Sequence, residues 1–249
     1  RDLRMSRGLG DVYKRQLICG GTCIGKTTFA AALAAQLARD KIHTLLIGPD
    51  TAVPAFGLWV HAPAHVPVSL GTVLERELTA ESVAAGAYLP QGTHHSLGVL
   101  GYLPGEASDK YTPPGMEQAE RLLQIAASLA EQVVVDGTVY GDALTHAAAR
   151  LADLRFTLIE PGPRGLLCQK SRPPEKGVGE TLWIACPRAL DDPVEDTVNR
   201  LHGSFFAVLP QTAEAHAKLT QSRLFEPYTD KAYRQAVEKA ANAITGAAV

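Results

Sequence analysis

The chain has 249 residues, 46% of them hydrophobic, which suits one α/β domain with a proper core. Its formal net charge of −2 gives no electrostatic basis for binding nucleic acid, and no apolar run approaches the ~18 residues of a membrane helix. Four cysteines (Cys19, Cys23, Cys168 and Cys186) show no C-x-x-C pairing and suit a reducing compartment, so composition predicts a soluble, cytoplasmic protein.

Residues 1–16 (RDLRMSRGLGDVYKRQ) differ from everything after them. They carry Arg1, Arg4, Arg7, Lys14 and Arg15 against Asp2 and Asp11, without periodicity and without the apolar centre of a secretory signal. The stretch reads as a translated adapter-like leader, and the folded domain is expected over 17–249. Removing it leaves a more acidic remainder, which argues further against nucleic acid.

The chain then presents an apolar run, Leu17-Ile18-Cys19, followed by Gly20-Gly21-Thr22-Cys23-Ile24-Gly25-Lys26-Thr27-Thr28 and an alanine-rich segment from Phe29 to Ala38. The spacing G-x-x-x-x-G-K-[ST] between a strand and a helix is that of a phosphate-cradling loop. Glycines let backbone N–H groups converge on phosphate oxygens, and the helix N-terminus adds its positive dipole end. Lys26 is placed to reach the β- and γ-phosphates, and the Thr27 hydroxyl to ligate Mg²⁺.

His43 to Ile47 reads as a second buried strand one helix after the first, which predicts a βαβ unit and a parallel sheet. Asp50 then stands at a strand's C-terminal end, where such sheets bind ligands, although an Asp beside Pro49 also suits a simple turn. Residues 51–67 are rich in Pro and Ala and are expected to form a long loop over the nucleotide, with His61 and His65 as surface residues. Leu70 to Ala87 is weakly helical, Leu97 to Tyr102 is a third strand, and Met116 to Leu129 is an amphipathic helix at the 3.6-residue period.

Val133-Val134-Val135-Asp136 is an apolar β-branched strand ending in a carboxylate, the Walker B pattern, and it makes Asp136 the second expected Mg²⁺ holder. A helix over Ala143–Leu151, strands at Phe156–Ile159 and Leu182–Ala185, and a basic segment between them (Arg164, Lys170, Arg172, Lys176) follow. A helix from Pro193 to Leu201, a last strand from Phe205 to Val208, and helices over Ala213–Thr220 and Asp230–Thr245 complete the chain. About seven strands alternate with helices, which predicts a single doubly wound, mostly parallel α/β sheet with helices on both faces.

With these landmarks in place, the chain from about Leu17 to Ala243 resembles the ParA/MinD-type P-loop ATPases, and within them the CpaE/TadZ-like proteins of pilus and secretion gene clusters. The resemblance is carried by the phosphate loop, by Leu45-Leu46-Ile47-Gly48-Pro49-Asp50, by Leu97 to Gly105 (LGVLGYLPG), by Val133 to Asp136, and by Val208-Leu209-Pro210. It implies ATP and Mg²⁺ as ligands, an ATP-dependent homodimer, slow hydrolysis, and use of the ATP state to position a secretion- or pilus-type machine at the inner face of the membrane. It also implies roles for Lys26 on the phosphates, Asp50 near the attacking water, and Asp136 as the Walker B carboxylate.

The sequence departs from the family pattern at three positions. The family's cross-dimer signature lysine would stand at 21, where the chain has Gly21. The first Asp of the family's D-x-D is Gly48. The adenine-reading Asn falls at Cys186, a poor hydrogen-bonding residue. The first two changes favour a nucleotide-binding scaffold with little hydrolysis as the competing reading. A small-molecule kinase, with the basic segment as its lid, is the third.

Overall fold

The computed structural model describes residues 14–106, 109–139, 141–171, 179–189, 192–201 and 203–246. Most of the expected leader, residues 1–13, lies outside the described residues, as do Arg172 and Lys176 of the basic segment. Seven parallel strands form one sheet among the described residues: β1 (Arg15–Gly20), β2 (Thr44–Gly48), β3 (Leu97–Gly101), β4 (Gln132–Asp136), β5 (Leu154–Ile159), β6 (Glu180–Ala185) and β7 (Ala207–Val208), in the spatial order β3-β2-β4-β1-β5-β6-β7. The doubly wound expectation is met, with β1 in the middle of the sheet.

Period-two alternation explains why both faces are covered. Ile18, Leu46, Val134, Phe156 and Ile184 point to one face, where they meet α1 (Lys26–Arg39) and α10 (Lys231–Thr245). Their neighbours Leu17, Leu45, Ile47, Val133 and Val135 point to the other, under α3 (Leu70–Glu75), α4 (Ala80–Gly86), α5 (Met116–Leu129) and α6 (Ala143–Leu151). Alanine dominates α1, which is buried over most of its length and has the Phe29 ring edge-on to Phe156 at 5.8 Å. Small side chains let that helix lie close to the sheet, and this fixes the loop leading into it.

The strand entering the loop begins at Arg15, two residues before the expected Leu17. Arg15 pairs in register with Val133 and bridges Asp153 at 3.3 Å, while the buried Gln16 donates to Gln132 Oε1 at 2.8 Å. The run that read as one weak helix over 70–87 is two helices, α3 and α4, each with its own N-cap. Ser69 accepts from Gly71 N, and Thr79 and Ser82 form a reciprocal capping box. The last strand is shorter than expected, with Phe205 and Phe206 outside it.

Residues 51–67 are not simply a long loop. They include a helical turn, α2 (Phe56–Trp59), whose Phe56 and Trp59 are buried, and Phe56 packs edge-on against Tyr88 at 5.6 Å. His61 and His65 are exposed, as expected.

Candidate functional site

The strand-to-helix turn after β1 has the backbone a phosphate cradle requires. Gly20, Cys23 and Gly25 have φ of 139°, 54° and 91°, and Gly25 caps α1 with no side chain covering its first N–H groups. A β-carbon on Gly20 would lie 2.3 Å from the Leu158 carbonyl oxygen, so the loop is seated directly on β5. Thr22 and Cys23 are exposed at the crest, Ile24 is buried beneath it, and Thr28 turns into the interior.

Lys26 is buried, and its ammonium donates to the Gly21 carbonyl at 2.7 Å, closing the loop on itself. Burial pushes its pKa down, while Asp136, Cys19, Asp50 and Cys23 oppose that shift. Gly21 itself is not in the left-handed region, and a β-carbon there would meet Cys168 Sγ at 3.7 Å, an ordinary contact. A side chain at position 21 is therefore sterically allowed.

Asp136 ends β4 beside the loop, because Gly137 N extends the pairing to Ile18 O at 2.9 Å. Its side chain is 5% exposed, and burial raises the carboxyl to about 6 despite hydrogen bonding from Thr27 and the Lys26 charge. Its Oδ1 is buried with no hydrogen-bond partner among the described residues. A buried, unsatisfied carboxylate oxygen next to a threonine hydroxyl is a donor set suited to a hard divalent cation such as Mg²⁺.

Asp50 lies within electrostatic reach of Lys26 and Asp136, but its Oδ1 accepts from Ala52 N at 2.8 Å and Val53 N at 3.0 Å. It forms the turn that the residue before it suggested, and it also borders the charged cluster. Cys186 is buried, with its N–H on the Ile159 carbonyl at 2.8 Å and its side chain in the core among α1- and α10-facing residues. Burial pushes its thiol up to about 12.

Two supporting carboxylates were missed by the sequence reading. Asp142 caps α6 and takes hydrogen bonds from both the Thr138 and Thr145 hydroxyls at 2.7 Å, which holds the segment after Asp136. An Asp immediately before an apolar-periodic run was the available signal for it. Glu106 accepts from Ser69 Oγ at 2.6 Å, Leu103 N at 2.9 Å, Tyr111 OH at 2.5 Å and Lys110 Nζ at 2.9 Å, tying the loop after β3 to α3. Leu103, Lys110 and Tyr111 lie within five residues of Glu106, whereas Ser69 is 37 residues away, and it is this last contact that ties the loop to α3.

No protein-family model matches the chain, and no curated protein sequence matches it. Among solved structures it is similar to the septum site-determining protein MinD of Pyrococcus horikoshii OT3 complexed with Mg-ADP, with a TM-score of 0.75 and 17% identity over 93% of this chain and 95% of that one. It is also similar to a ParA family ATPase of Chlorobium tepidum TLS (TM-score 0.71, 16% identity, 92% and 98% covered). A third likeness is to the Cyanothece McdA(D38A)–ATP complex (TM-score 0.69, 13% identity, 96% and 98% covered). The fold is therefore the one these MinD and ParA ATPases share.

Proposed function

We propose that the protein is a Mg-ATP-binding ATPase of ParA/MinD type, acting as a slow nucleotide-dependent switch. One observation carries this reading: the orphaned, buried Oδ1 of Asp136 beside Thr27, at the mouth of a loop with open first-turn N–H groups. The loop from Gly20 to Thr28 would cradle the phosphates, Lys26 would exchange the Gly21 carbonyl for phosphate oxygens, and Thr27 with Asp136 would hold Mg²⁺. The ion would offset charge developing on the transferred phosphoryl group. Neighbours of the same fold were solved with Mg-ADP and with ATP, which supports the choice of ligand.

The proposal includes an ATP-dependent homodimer and a role in positioning or assembly of the pilus/secretion or partitioning type, supported by the sequence resemblance. No described helix is long and apolar enough to cross a membrane. The scaffold reading has its own support, because Trp59 fills the space beside Gly48 and leaves no room for a carboxylate there. Equilibrium ATP binding by Asp136→Ala, with and without Mg²⁺, tests the site. A loss confined to the Mg²⁺ condition supports it, and equal loss in both makes Asp136 a structural residue.

A further inference from the structure

The alanines that let α1 lie close to the sheet leave room at that helix's last turns. There, on the sheet face that carries α1, Ala35, Ala38 and Leu97 of the edge strand β3 line a cavity of about 400 Å³. Its walls come from Trp59 and Val60 at the end of α2, from Tyr88 and Pro90 ahead of β3, and from Phe225 after α9 (Ala213–Thr220). None of residues 20–28, Asp50 or Asp136 lines it, so it stands apart from the proposed Mg-ATP site.

The lining combines three buried aromatic side chains, Trp59, Tyr88 and Phe225, with a cation that no carboxylate neutralises. Arg223 and Glu226 cancel each other in a two-pronged ion pair, with both contacts at 2.6 Å. Arg39 is different. Its guanidinium donates to two neutral acceptors, the Phe225 carbonyl at 3.2 Å and Gln36 Oε1 at 3.0 Å, and has no carboxylate partner among the described residues. The carboxylates within its electrostatic reach, Asp40 and Glu238, lie outside the lining and are engaged elsewhere. Asp40 accepts from the Gln36 amide at 3.1 Å, and Glu238 pairs with Arg234 at 3.6 Å. His61 and His94, also in the lining, add only positive charge when protonated.

We propose that this cavity binds a small aromatic carboxylate, its head on the Arg39 guanidinium and its ring among Trp59, Tyr88 and Phe225. A guanidinium carries five N–H donors in a planar fork, so the two bonds that Arg39 makes to the protein leave others for a carboxylate. Aromatic walls favour an aromatic guest through edge-to-face and offset ring contacts. A concave site of this size, with apolar walls and a few polar groups, is what a small-molecule ligand requires. A cation of the same shape meets Arg39 as a like charge and is rejected.

The two tryptophans give a site-resolved test on the whole chain, because Trp59 lines the cavity and Trp183 of β6 does not. In Trp183→Phe, Trp59 emission is followed as 4-phenylbutanoate or 4-phenylbutylammonium is added, and heats of binding are measured on the wild type in parallel. The carboxylate is expected to bind with a dissociation constant of about 1 mM or below and to change the Trp59 emission, with the ammonium at least about tenfold weaker. Arg39→Gln should weaken carboxylate binding by about tenfold or more, the worth of a charge-assisted contact. Thr93→Phe, at a half-buried position of the lining, narrows the cavity and leaves the arginine in place. It should abolish binding, and it keeps the test open should Arg39→Gln fail to fold. Absence of both heat and emission change with the carboxylate overturns the proposal, as does equal binding of the ammonium. Carboxylate binding should persist in Lys26→Ala, so failure of the nucleotide reading and failure of this one are told apart.

Discussion

The Trp59 indole lies against Gly48 so closely that a β-carbon on the glycine would sit 2.6 Å from the ring's Cη2 and 3.2 Å from Ala55 Cβ. Trp59 is 1% exposed, and α2, which carries it, is held at Gly57, whose carbonyl accepts from Ser222 Oγ at 2.9 Å. The ParA/MinD pattern places a carboxylate at position 48. Here the same volume holds an aromatic ring.

Gly48→Asp is therefore expected to destabilise the protein by about 2–4 kcal/mol, from overpacking together with burial of a charged group. Trp59→Ala alone should also be costly, at about 3–5 kcal/mol for an emptied large aromatic site. The double variant should cost clearly less than the sum, since the cavity made by one change admits the other. Denaturant unfolding of the four proteins measures this, and strict additivity would show that the two sites do not share volume.

Asp136 predicts an inverted pH dependence. Its folded carboxyl is raised to about 6, chiefly by burial, above its ordinary value of 3.8. The native state thus holds a proton that the unfolded chain has released, so stability without metal falls as pH rises from about 4 to about 6 and stays low above that. A shift of this size corresponds to roughly 3 kcal/mol. Asp136→Asn should remove this dependence and stabilise the metal-free protein at neutral pH. Denaturation midpoints across that range, with a chelator present, check it, and a midpoint unchanged by Asp136→Asn contradicts it. Mg²⁺-dependent ATP binding should weaken below about pH 6 as the carboxyl protonates.

Glu106 gives a prediction of opposite sign. Burial opposes its ionisation, but hydrogen bonds from Ser69, Tyr111, Lys110 and Leu103 win, and its pKa lies below the usual value. A depressed carboxyl contributes stability that is present above its unfolded pKa and lost as pH falls through the folded one. Glu106→Ala should cost about 1–2 kcal/mol at neutral pH, because it removes the shared acceptor of three part-buried donors, on Ser69, Leu103 and Tyr111. Thermal unfolding at neutral and acidic pH should show a gap between wild type and variant that narrows on acidification.

The architecture was legible because its determinants are local. The run Leu17-Ile18-Cys19, the loop glycines and the alanines of α1 stand together in the chain, and period-two apolar strands alternate with period-3.6 helices. What escaped depends on residues far apart in sequence. Gln16 reads as part of a polar leader until Gln132 is placed opposite it at 2.8 Å. Trp59 reads as a loop residue until Gly48 is seen to lack the atom it displaces. Cys186 directly follows β6, and its side chain turns into the core, a direction that one-residue matching does not encode.

Lys26 anchors the most direct test of the phosphate loop. Its ammonium is buried and donates to the Gly21 carbonyl, a costly arrangement that ligand phosphates would relieve. Lys26→Ala should therefore leave stability within about 1 kcal/mol of wild type or raise it, while weakening ATP binding by about 100-fold or more. Calorimetric titration with ATP, alongside urea unfolding, separates the two effects. Unchanged ATP affinity would remove the phosphate-loop assignment.

The last prediction concerns turnover. Phosphoryl transfer depends on cations placed where charge accumulates, and Gly21 leaves position 21 without one. The backbone there does not require glycine: its φ is not positive, and the first added atom would meet Cys168 Sγ at an ordinary 3.7 Å. Gly21→Lys is thus expected to fold normally, with a stability change of about 0.5 kcal/mol or less. If the protein dimerises on ATP, the new ammonium is supplied across the interface, and hydrolysis should rise by at least about tenfold, within the range that a cation supplied in trans provides elsewhere. Phosphate release, ATP affinity and sedimentation must be measured on the same preparation. A variant that binds ATP, dimerises and gains no rate would show that the absent lysine does not limit turnover. The constraint would then lie at Gly48, where Trp59 blocks the carboxylate, and the scaffold reading would replace the ATPase one.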